Sequence, residues 1–158
     1  MEKTIPLTQS KFDELSQKLK YYETVRRTEI SEQIKFAKEF GDLSENAEYS
    51  AAKDAQENLE IEIAHLSDTL TRAYPIDISL LSTKIVGIGT YVKIFDMNFD
   101  EEVTYQIVSS IEANSKENKI SDQSPIGKAL LGKKKGEIAT ARLPTGGSIN
   151  LKILGISK

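Results

Sequence analysis

The 158-residue chain has no cysteine and no tryptophan, and its single histidine is His65. Without cysteine, disulfide bonds and thiolate metal sites are excluded. A lone histidine argues against a zinc site, because carboxylates would have to supply nearly all the ligands. No stretch approaches the roughly 18 consecutive apolar residues of a membrane helix. The first residues, "MEKTIPLTQSKFDEL", carry charges where a signal peptide has its apolar segment. We therefore expect a cytoplasmic protein.

The net charge of −3 conceals a difference between the two halves. Residues 1–75 hold 10 basic and 15 acidic side chains, a net of −5, whereas residues 76–158 hold 11 and 9, a net of +2. Binding to duplex nucleic acid requires a basic face that displaces counterions from phosphates. The acidic N-terminal half argues against that mode of binding.

Proline and glycine are also absent from Thr8 to Phe40, and apolar residues recur there at helical spacing. The pattern predicts one long helix with Thr8 as its N-cap and Gly41 as its stop. The stripe has steps of three or four and one eight-residue step past Arg26; it consists of Phe12, Leu15, Leu19, Tyr22, Ile30, Ile34 and Ala37. A second stripe predicts a helix that ends at Pro75; it consists of Ala47, Ala51, Ala55, Leu59, Ile63, Leu66, Leu70 and Ala73. Two such helices joined by a short turn form an antiparallel hairpin.

After "YPIDISLLSTKIVGIGT" the period changes to two, in "GTYVKIF", "EEVTYQIVSSI" and "GEIATARLPTGGSINLKILGI". "SPIGKALLG" predicts a short helix capped by Ser124, with Pro125 first and Gly132 ending it. The fold class is therefore α+β, a helical hairpin followed by an antiparallel sheet with one short helix. We place the arm at residues 1–75 with an acidic tip at 41–49, a linker at 76–82, and a globular domain at 83–158.

The predicted turn, "KEFGDLSENAEYSAAK", carries Asp42, Glu45 and Glu48 at intervals of three residues. One interpretation is structural: Asp42 and Glu45 have the spacing of a capping box and suit the positive end of the second helix dipole. The other is chemical: Mg²⁺ is usually held by one or two carboxylates together with substrate phosphates. Lys38 and Lys53 flank the turn, and either neutralise a phosphate or pair with acids along the helices. These residues alone leave both interpretations open.

Three segments, "GDLSENAEYSAAKDAQ", "VRRTEI" and "SPIGKALLGKKKGEI", resemble the bacterial Gre-family transcript cleavage factors, closest to the GreA type. The likeness covers essentially the whole chain. It implies a coiled-coil arm, an FKBP-like globular domain without implied prolyl isomerase activity, and RNA polymerase as the partner. It also implies that the arm enters the polymerase secondary channel and stimulates the polymerase's own cleavage of backtracked transcripts.

The resemblance assigns roles to individual residues. Asp42 and Glu45 become the catalytic acids, which hold Mg²⁺ only together with the polymerase active centre, and the protein binds no cofactor stably alone. Lys38 and Lys53 face the nascent RNA 3′ end, while Gly41, Asn46 and Tyr49 complete the tip motif. The polymerase-docking candidates are Ser124, Pro125 and Ile126. A membrane and a small-molecule substrate are not expected.

The chain departs from the family pattern at three positions of the arm. Thr28 stands where a proline is usual, Phe40 where a histidine often precedes the glycine, and Glu62 where an arginine is expected. Glu62 weakens the basic patch along the arm. Two alternatives to a cleavage-stimulating factor remain, a Gre-like factor that enters the same channel and inhibits, and an adaptor whose acidic tip is only a helix cap. A free-standing nuclease has too few ligands for Mg²⁺ here.

Overall fold

The computed structural model describes residues 2–41 and 46–158. The chain divides into two compact units. The first is built from the residues up to Lys3 and residues 12–73, and the second from residues 4–11 and residues 74–158. The start of the chain is thus shared between the units, and the domain boundaries given above stay a prediction.

The first unit begins with a long helical segment made of three consecutive parts. Helix α1 spans Gln9–Tyr21, a π-helical turn spans Tyr22–Arg26, and helix α2 spans Arg27–Lys38. The predicted N-cap is confirmed, because the Thr8 hydroxyl accepts the backbone N–H of Lys11 at 3.2 Å. Gly41 follows α2 with a φ of +109°, a conformation that glycine adopts at little cost.

The π-helical turn lies where the apolar stripe takes its eight-residue step. The N–H of Arg27 bonds to the carbonyl of Tyr22, five residues back, as a π-turn requires. Positions 12, 15, 19, 22 and 26 follow a seven-residue repeat, and 30, 34 and 37 follow the same repeat displaced by one residue. The wider turn accommodates that extra residue and keeps the stripe on one face.

Helix α3, Ala47–Arg72, pairs with α2 to form the predicted antiparallel hairpin. The helices bury one apolar cluster, comprising Ile30, Ile34, Ala52, Leu59 and Ile63, with Leu19, Tyr22, Tyr49 and Ala55 packed against it. The predicted stripe was wrong at the start of α3, where Ala52 is buried while Ala47 and Ala51 are exposed. Alanines occur there on several faces of the helix, so the sequence does not show which of these faces is buried.

The second unit contains a five-stranded sheet in the order β5-β4-β3-β7-β6. Two strands precede it in the chain and pair with each other, β1 (Ile5–Leu7) and β2 (Ala73–Pro75). The strands of the large sheet are β3 (Tyr91–Asp96), β4 (Glu101–Val108), β5 (Lys119–Ser121), β6 (Ile138–Arg142) and β7 (Ser148–Ser157). The short helix α4 spans Pro125–Leu130.

The α+β fold class is confirmed, with one difference in the sheet. β3, β4, β6 and β7 pair antiparallel as predicted, whereas β5 runs parallel to β4. Residues 109–118 form two 3₁₀ turns, Ser110–Glu112 and Ser115–Glu117, and return the chain to Gln106, beside which β5 starts. That segment has no hydrophobic period, so its path could not be predicted. The core beneath the sheet comprises Val86, Val92, Ile94, Ile107, Leu130, Ala139, Leu151 and Ile153.

The second unit also holds the residues that precede α1. The buried Glu112 carboxylate accepts hydrogen bonds from the backbone N–H of Thr8 at 3.0 Å and from its hydroxyl at 2.5 Å. The Ser109 hydroxyl donates to the Pro6 carbonyl at 2.6 Å, and Ile76 N–H donates to the Leu7 carbonyl at 2.7 Å. These hydrogen bonds all lie within the second unit, because residues 4–11 belong to it. Among residues 2–41 and 46–158, no helix is both long and apolar enough to cross a membrane.

Candidate functional site at the closed end of the hairpin

The closed end of the hairpin, residues 37–49, contains the sequence-predicted acidic tip. Asp42 and Glu45 lie outside the described residues, so their roles stay predictions. On either side of them, α2 ends at Lys38 and α3 begins at Ala47. The structure therefore defines the two ends of the segment that carries the acids.

Asn46 connects these two ends through both groups of its side-chain amide. Its Oδ1 accepts the backbone N–H of Tyr49 at 3.1 Å, which makes Asn46 the N-cap of α3. Its Nδ2 donates to the carbonyl oxygen of Ala37, in the last turn of α2. The side chain is 7% exposed, so these bonds are largely shielded from water. We call this pair of hydrogen bonds the Asn46 clamp.

The clamp corrects one assignment of the capping interpretation. The capping interpretation assigned the N-cap of the second helix to Asp42, and that assignment is wrong because Asn46 occupies the position. Asparagine is as good an N-cap as aspartate, and a carboxylate four residues before it is not needed for that purpose. N-capping of α3 therefore does not require Asp42, and the roles of both acids stay predictions.

The tip residue Tyr49 and both basic candidates are also among the described residues. Tyr49 is half-buried and packs against the hairpin cluster, which anchors the first turn of α3. Lys38 and Lys53 are both exposed, and Lys53 Nζ donates to Gln56 Oε1 at 3.0 Å. The structure thus places both lysines on the surface near the closed end, where their contact with RNA stays a prediction.

The donor set at this end suits a hard cation that is shared with another molecule. Glu48 is exposed in the first turn of α3. In the described part of the chain, no three acidic or histidine side chains cluster closely enough to hold a metal ion. Carboxylates are the protein ligands that Mg²⁺ prefers, and one or two suffice when other ligands come from elsewhere. Asp42 and Glu45 fit that pattern by residue type.

Farther along the hairpin, Arg27 and Glu60 join α2 to α3, a contact that sequence reasoning missed. Arg27 Nε and Nη2 donate to the two carboxylate oxygens of Glu60, both at 2.8 Å. These hydrogen bonds lower the pKa of Glu60 and raise that of Arg27. A cross-helix pair has no fixed sequence spacing, so no local pattern could have predicted it.

In the second unit, the predicted docking residues begin helix α4. The Ser124 hydroxyl accepts the N–H of Gly127 at 3.0 Å and donates to the Ser121 carbonyl at 2.6 Å, which confirms Ser124 as the N-cap. Pro125 is exposed at the first helical position, whereas Ile126 packs against the core. Of the three, Pro125 is the side chain best placed to contact a partner.

Comparison with known families matches both halves of the chain. The N-terminal model, described as "Transcription elongation factor, N-terminal", matches residues 5–74, and the model described as "Transcription elongation factor, GreA/GreB, C-term" matches residues 81–158. The chain belongs to the GreA/GreB family of transcription elongation factors. The resemblance seen in the sequence is thereby confirmed.

Curated relatives in the GreA/GreB family match this chain from end to end. Transcription elongation factor GreA of Thermoanaerobacter pseudethanolicus is 48% identical over 158 residues and that of Caldanaerobacter subterraneus is 49% identical, each covering 100% of both chains. These relatives support a GreA-type factor. Among solved structures, GreA factor homolog 1 (Gfh1) of Thermus thermophilus is 30% identical, covers 100% of both chains and has a TM-score of 0.43.

The three departures from the Gre pattern have different environments in this chain. The Thr28 hydroxyl donates to the Thr24 carbonyl at 2.9 Å, close to the π-helical turn. Glu62 is exposed on α3. Phe40 is 62% exposed and contacts Phe36, also 62% exposed, with ring centroids 5.1 Å apart in a T-shaped arrangement. An exposed pair of aromatic rings therefore lies beside the tip, and sequence reasoning considered only one of them.

Proposed function

We propose that this Gre-family chain stimulates RNA polymerase to cleave backtracked transcripts. The hairpin enters the secondary channel of the polymerase and presents Asp42 and Glu45 to its active centre. Cleavage shortens the RNA, aligns a new 3′ end and lets elongation resume. The polymerase performs the chemistry in the cytoplasm, and the chain is not a nuclease by itself. The family match over both halves of the chain supports this role.

The observation that carries the proposal is the Asn46 clamp. It holds the last turn of α2 and the first turn of α3 together immediately beside the acids. Fixing both ends of a short segment lowers the conformational entropy that must be lost when its side chains reach a defined position. Asn46 therefore acts on the site through the backbone, as a positioning residue.

The acids supply oxygen ligands, and their neighbours supply charge. A Mg²⁺ ion shared with the polymerase would supply an activated water and would stabilise the charge that develops as a phosphodiester is cleaved. Asp42 and Glu45 each provide a carboxylate toward that ion, and the polymerase provides the remaining ligands. Lys38 and Lys53 face the RNA phosphates near its 3′ end. Pro125, supported by Ser124 and Ile126, contributes to docking on the polymerase.

Transcript cleavage in a purified backtracked elongation complex tests this function. Three samples contain no factor, the unmodified protein, or Asp42→Asn, and a fourth contains the protein and free RNA without polymerase. Faster cleavage with only the unmodified protein, and none of the free RNA, is the expected result. Slower cleavage with the unmodified protein would identify a channel inhibitor. Equal rates in the first three samples, with both proteins bound to polymerase, would identify an adaptor.

A further inference from the structure

A surface groove lies between α2 and α3 beside the closed end of the hairpin. Its volume is about 320 Å³, and it is lined by Gln33, Phe36, Ala37, Glu48, Ala51 and Ala52. That volume is near the lower end of small-molecule pockets, which run from about 300 to 1,000 Å³. We call it the Phe36 groove. The hairpin is narrow at this point because its facing residues are alanines.

Phe36 lies outside the buried apolar cluster of the hairpin. The buried stripe of α2 consists of Ile30, Ile34 and Ala37, whereas 62% of the Phe36 side chain is exposed. Phe40 contacts it one helical turn farther on, and the two rings are nearly perpendicular at 82°. The pair therefore presents aromatic surface to whatever molecule approaches the tip.

The remaining groups of the groove match the edge and face of a nucleobase. Phe36 offers an aromatic surface for stacking, and the alanines leave room for a flat ring. Gln33 offers an amide that both donates and accepts hydrogen bonds, while Glu48 offers a carboxylate that accepts them. Unpaired RNA bases are recognised in this way, by stacking on aromatic side chains and by hydrogen bonds along their edges.

The lining also excludes recognition through phosphate. Among the residues that the structure describes, the lining contains no lysine or arginine, and Glu48 repels an anion. Lys35 and Lys38 belong to α2 but do not line the groove. Binding here therefore depends on the base and changes little with salt, in contrast to contacts with the phosphate backbone.

We propose that the Phe36 groove holds one unpaired base of the transcript 3′ segment, and that this contact positions the RNA for cleavage. The proposal rests on the proposed function, because that function brings the closed end of the hairpin to the RNA 3′ end. Glu48 accepts hydrogen bonds from the amino groups of adenine, guanine and cytosine. Uracil has only one N–H donor, so we expect complexes with an extruded cytidine to be cleaved faster than those with an extruded uridine.

The contact is tested with Phe36→Leu and Phe36→Trp in backtracked complexes. Stacking on an aromatic side chain contributes about 1–3 kcal/mol per base, so Phe36→Leu is expected to slow cleavage at saturating factor by between about fivefold and about a hundredfold. Phe36→Trp restores the rate because it restores a stacking surface. Ile61→Ala is the matched control, since Ile61 is 60% exposed on α3 and does not line the groove. Rates for Phe36→Leu equal to those of the unmodified protein would overturn the proposal.

The specificity is tested with Glu48→Gln in complexes that differ only in the extruded base. We expect this variant to lower the ratio of the cleavage rate with cytidine to the rate with uridine, after each is corrected for the rate without factor. The reason is that an amide both donates and accepts hydrogen bonds and can therefore bind either base. An unchanged ratio would show that Glu48 does not select the base. Binding of Phe36→Leu to polymerase without RNA is expected to equal that of the unmodified protein. Weaker binding there would assign the groove to a protein surface of the polymerase and overturn the proposal.

A fluorescence measurement that does not require transcript cleavage separates this proposal from the proposed function. 2-Aminopurine at the extruded RNA end is expected to lose fluorescence when Asp42→Asn binds the complex, and to keep it when Asp42→Asn/Phe36→Leu binds. Equal fluorescence with both proteins would overturn the base contact. Normal cleavage by Asp42→Asn would instead contradict the proposed function, while the fluorescence would still report on the groove.

Discussion

Asn46 donates a hydrogen bond from Nδ2 to the carbonyl oxygen of Ala37, and so joins the start of one helix to the end of the other. Its Oδ1 simultaneously accepts the N–H of Tyr49. Aspartate would provide the second bond but not the first, because an ionised carboxylate has no donor. The position therefore needs a side chain that donates as well as accepts, whereas an N-cap needs only an acceptor.

Replacement of Asn46 separates the cap from the clamp. Asn46→Asp keeps an acceptor for the Tyr49 N–H but has no donor for the Ala37 carbonyl, which keeps its hydrogen bond from the Phe40 N–H at 3.2 Å. We expect this change to cost about 0.5–1.5 kcal/mol of unfolding free energy. Asn46→Ala also loses the cap, at a further cost of about 1 kcal/mol. Urea unfolding followed by the helical circular-dichroism signal measures both. A stability of Asn46→Asp equal to that of the unmodified protein would show that the hydrogen bond to the Ala37 carbonyl contributes nothing.

The π-helical turn predicts that one residue can be removed from the first helical segment. Deletion of the exposed Thr24 converts the turn to a regular α-helix and leaves the buried stripe on the same face. We expect the hairpin to fold and to lose little stability. Deletion of Glu57 is the control, because α3 has no such turn and the deletion rotates Tyr49 and Ala52 out of the interface by about 100°.

Thermal unfolding compares the two deletions. The expected result is a cooperative transition for the Thr24 deletion and a strongly lowered or absent hairpin transition for the Glu57 deletion. Comparable losses in both proteins would refute the explanation of the π-helical turn.

The Arg27–Glu60 pair predicts a pH-dependent contribution to hairpin stability. Because Arg27 lowers the pKa of Glu60 in the folded state, the contribution is present above the usual glutamate pKa of about 4.3 and is lost as the pH falls through the lowered value. Glu60→Gln should therefore lower the melting temperature at neutral pH and have little effect near pH 3. Added salt should reduce the difference, since both side chains are partly exposed.

This prediction is tested by comparing the melting temperatures of the unmodified protein, Glu60→Gln and the control Glu62→Gln. Glu62 is exposed on the same helix, and its replacement should change little at either pH. A Glu60→Gln difference that is as large near pH 3 as at neutral pH would mean that the ion pair is not its cause.

Gly127 in α4 has no room for a side chain. A Cβ atom there would lie 1.9 Å from the carbonyl oxygen of Ser121. Gly127→Ala must shift the backbone, and we expect it to destabilise the second unit by about 1–3 kcal/mol. Gly87→Ala is the matched control, because a Cβ at Gly87 has no neighbour within 4 Å among the described residues. Chemical unfolding of both variants should show a loss only for Gly127→Ala.

The elements that are determined by a regular apolar period or by a local cap were predictable. The stripe from Leu15 to Ala37 and the caps at Thr8 and Ser124 were confirmed because local spacing and side-chain chemistry determine them. The path from β4 to β5 was not predictable, since irregular loops carry no period. The phase of α3 failed at Ala51 and Ala52, where adjacent small residues are equally suited to the interface.

The candidate site was predictable in residue type but not in arrangement. The motif drew attention to Asp42, Glu45 and Asn46, yet the capping role was assigned to the wrong residue. The clamp requires Ala37 and Asn46 to meet across the turn, and the Phe36 groove requires side chains from both helices. Such contacts arise from pairing of the helices and leave no signature in either helix alone.

The dependence of transcript cleavage on Mg²⁺ concentration tests the central claim most directly. In one backtracked complex, the unmodified protein should lower the Mg²⁺ concentration required for half-maximal cleavage, because Asp42 and Glu45 add ligands to the shared ion. Asp42→Asn and Glu45→Gln should bind the polymerase but leave the requirement at its factor-free value. If these variants lower it as far as the unmodified protein does, the carboxylates do not act on the ion and the account is wrong.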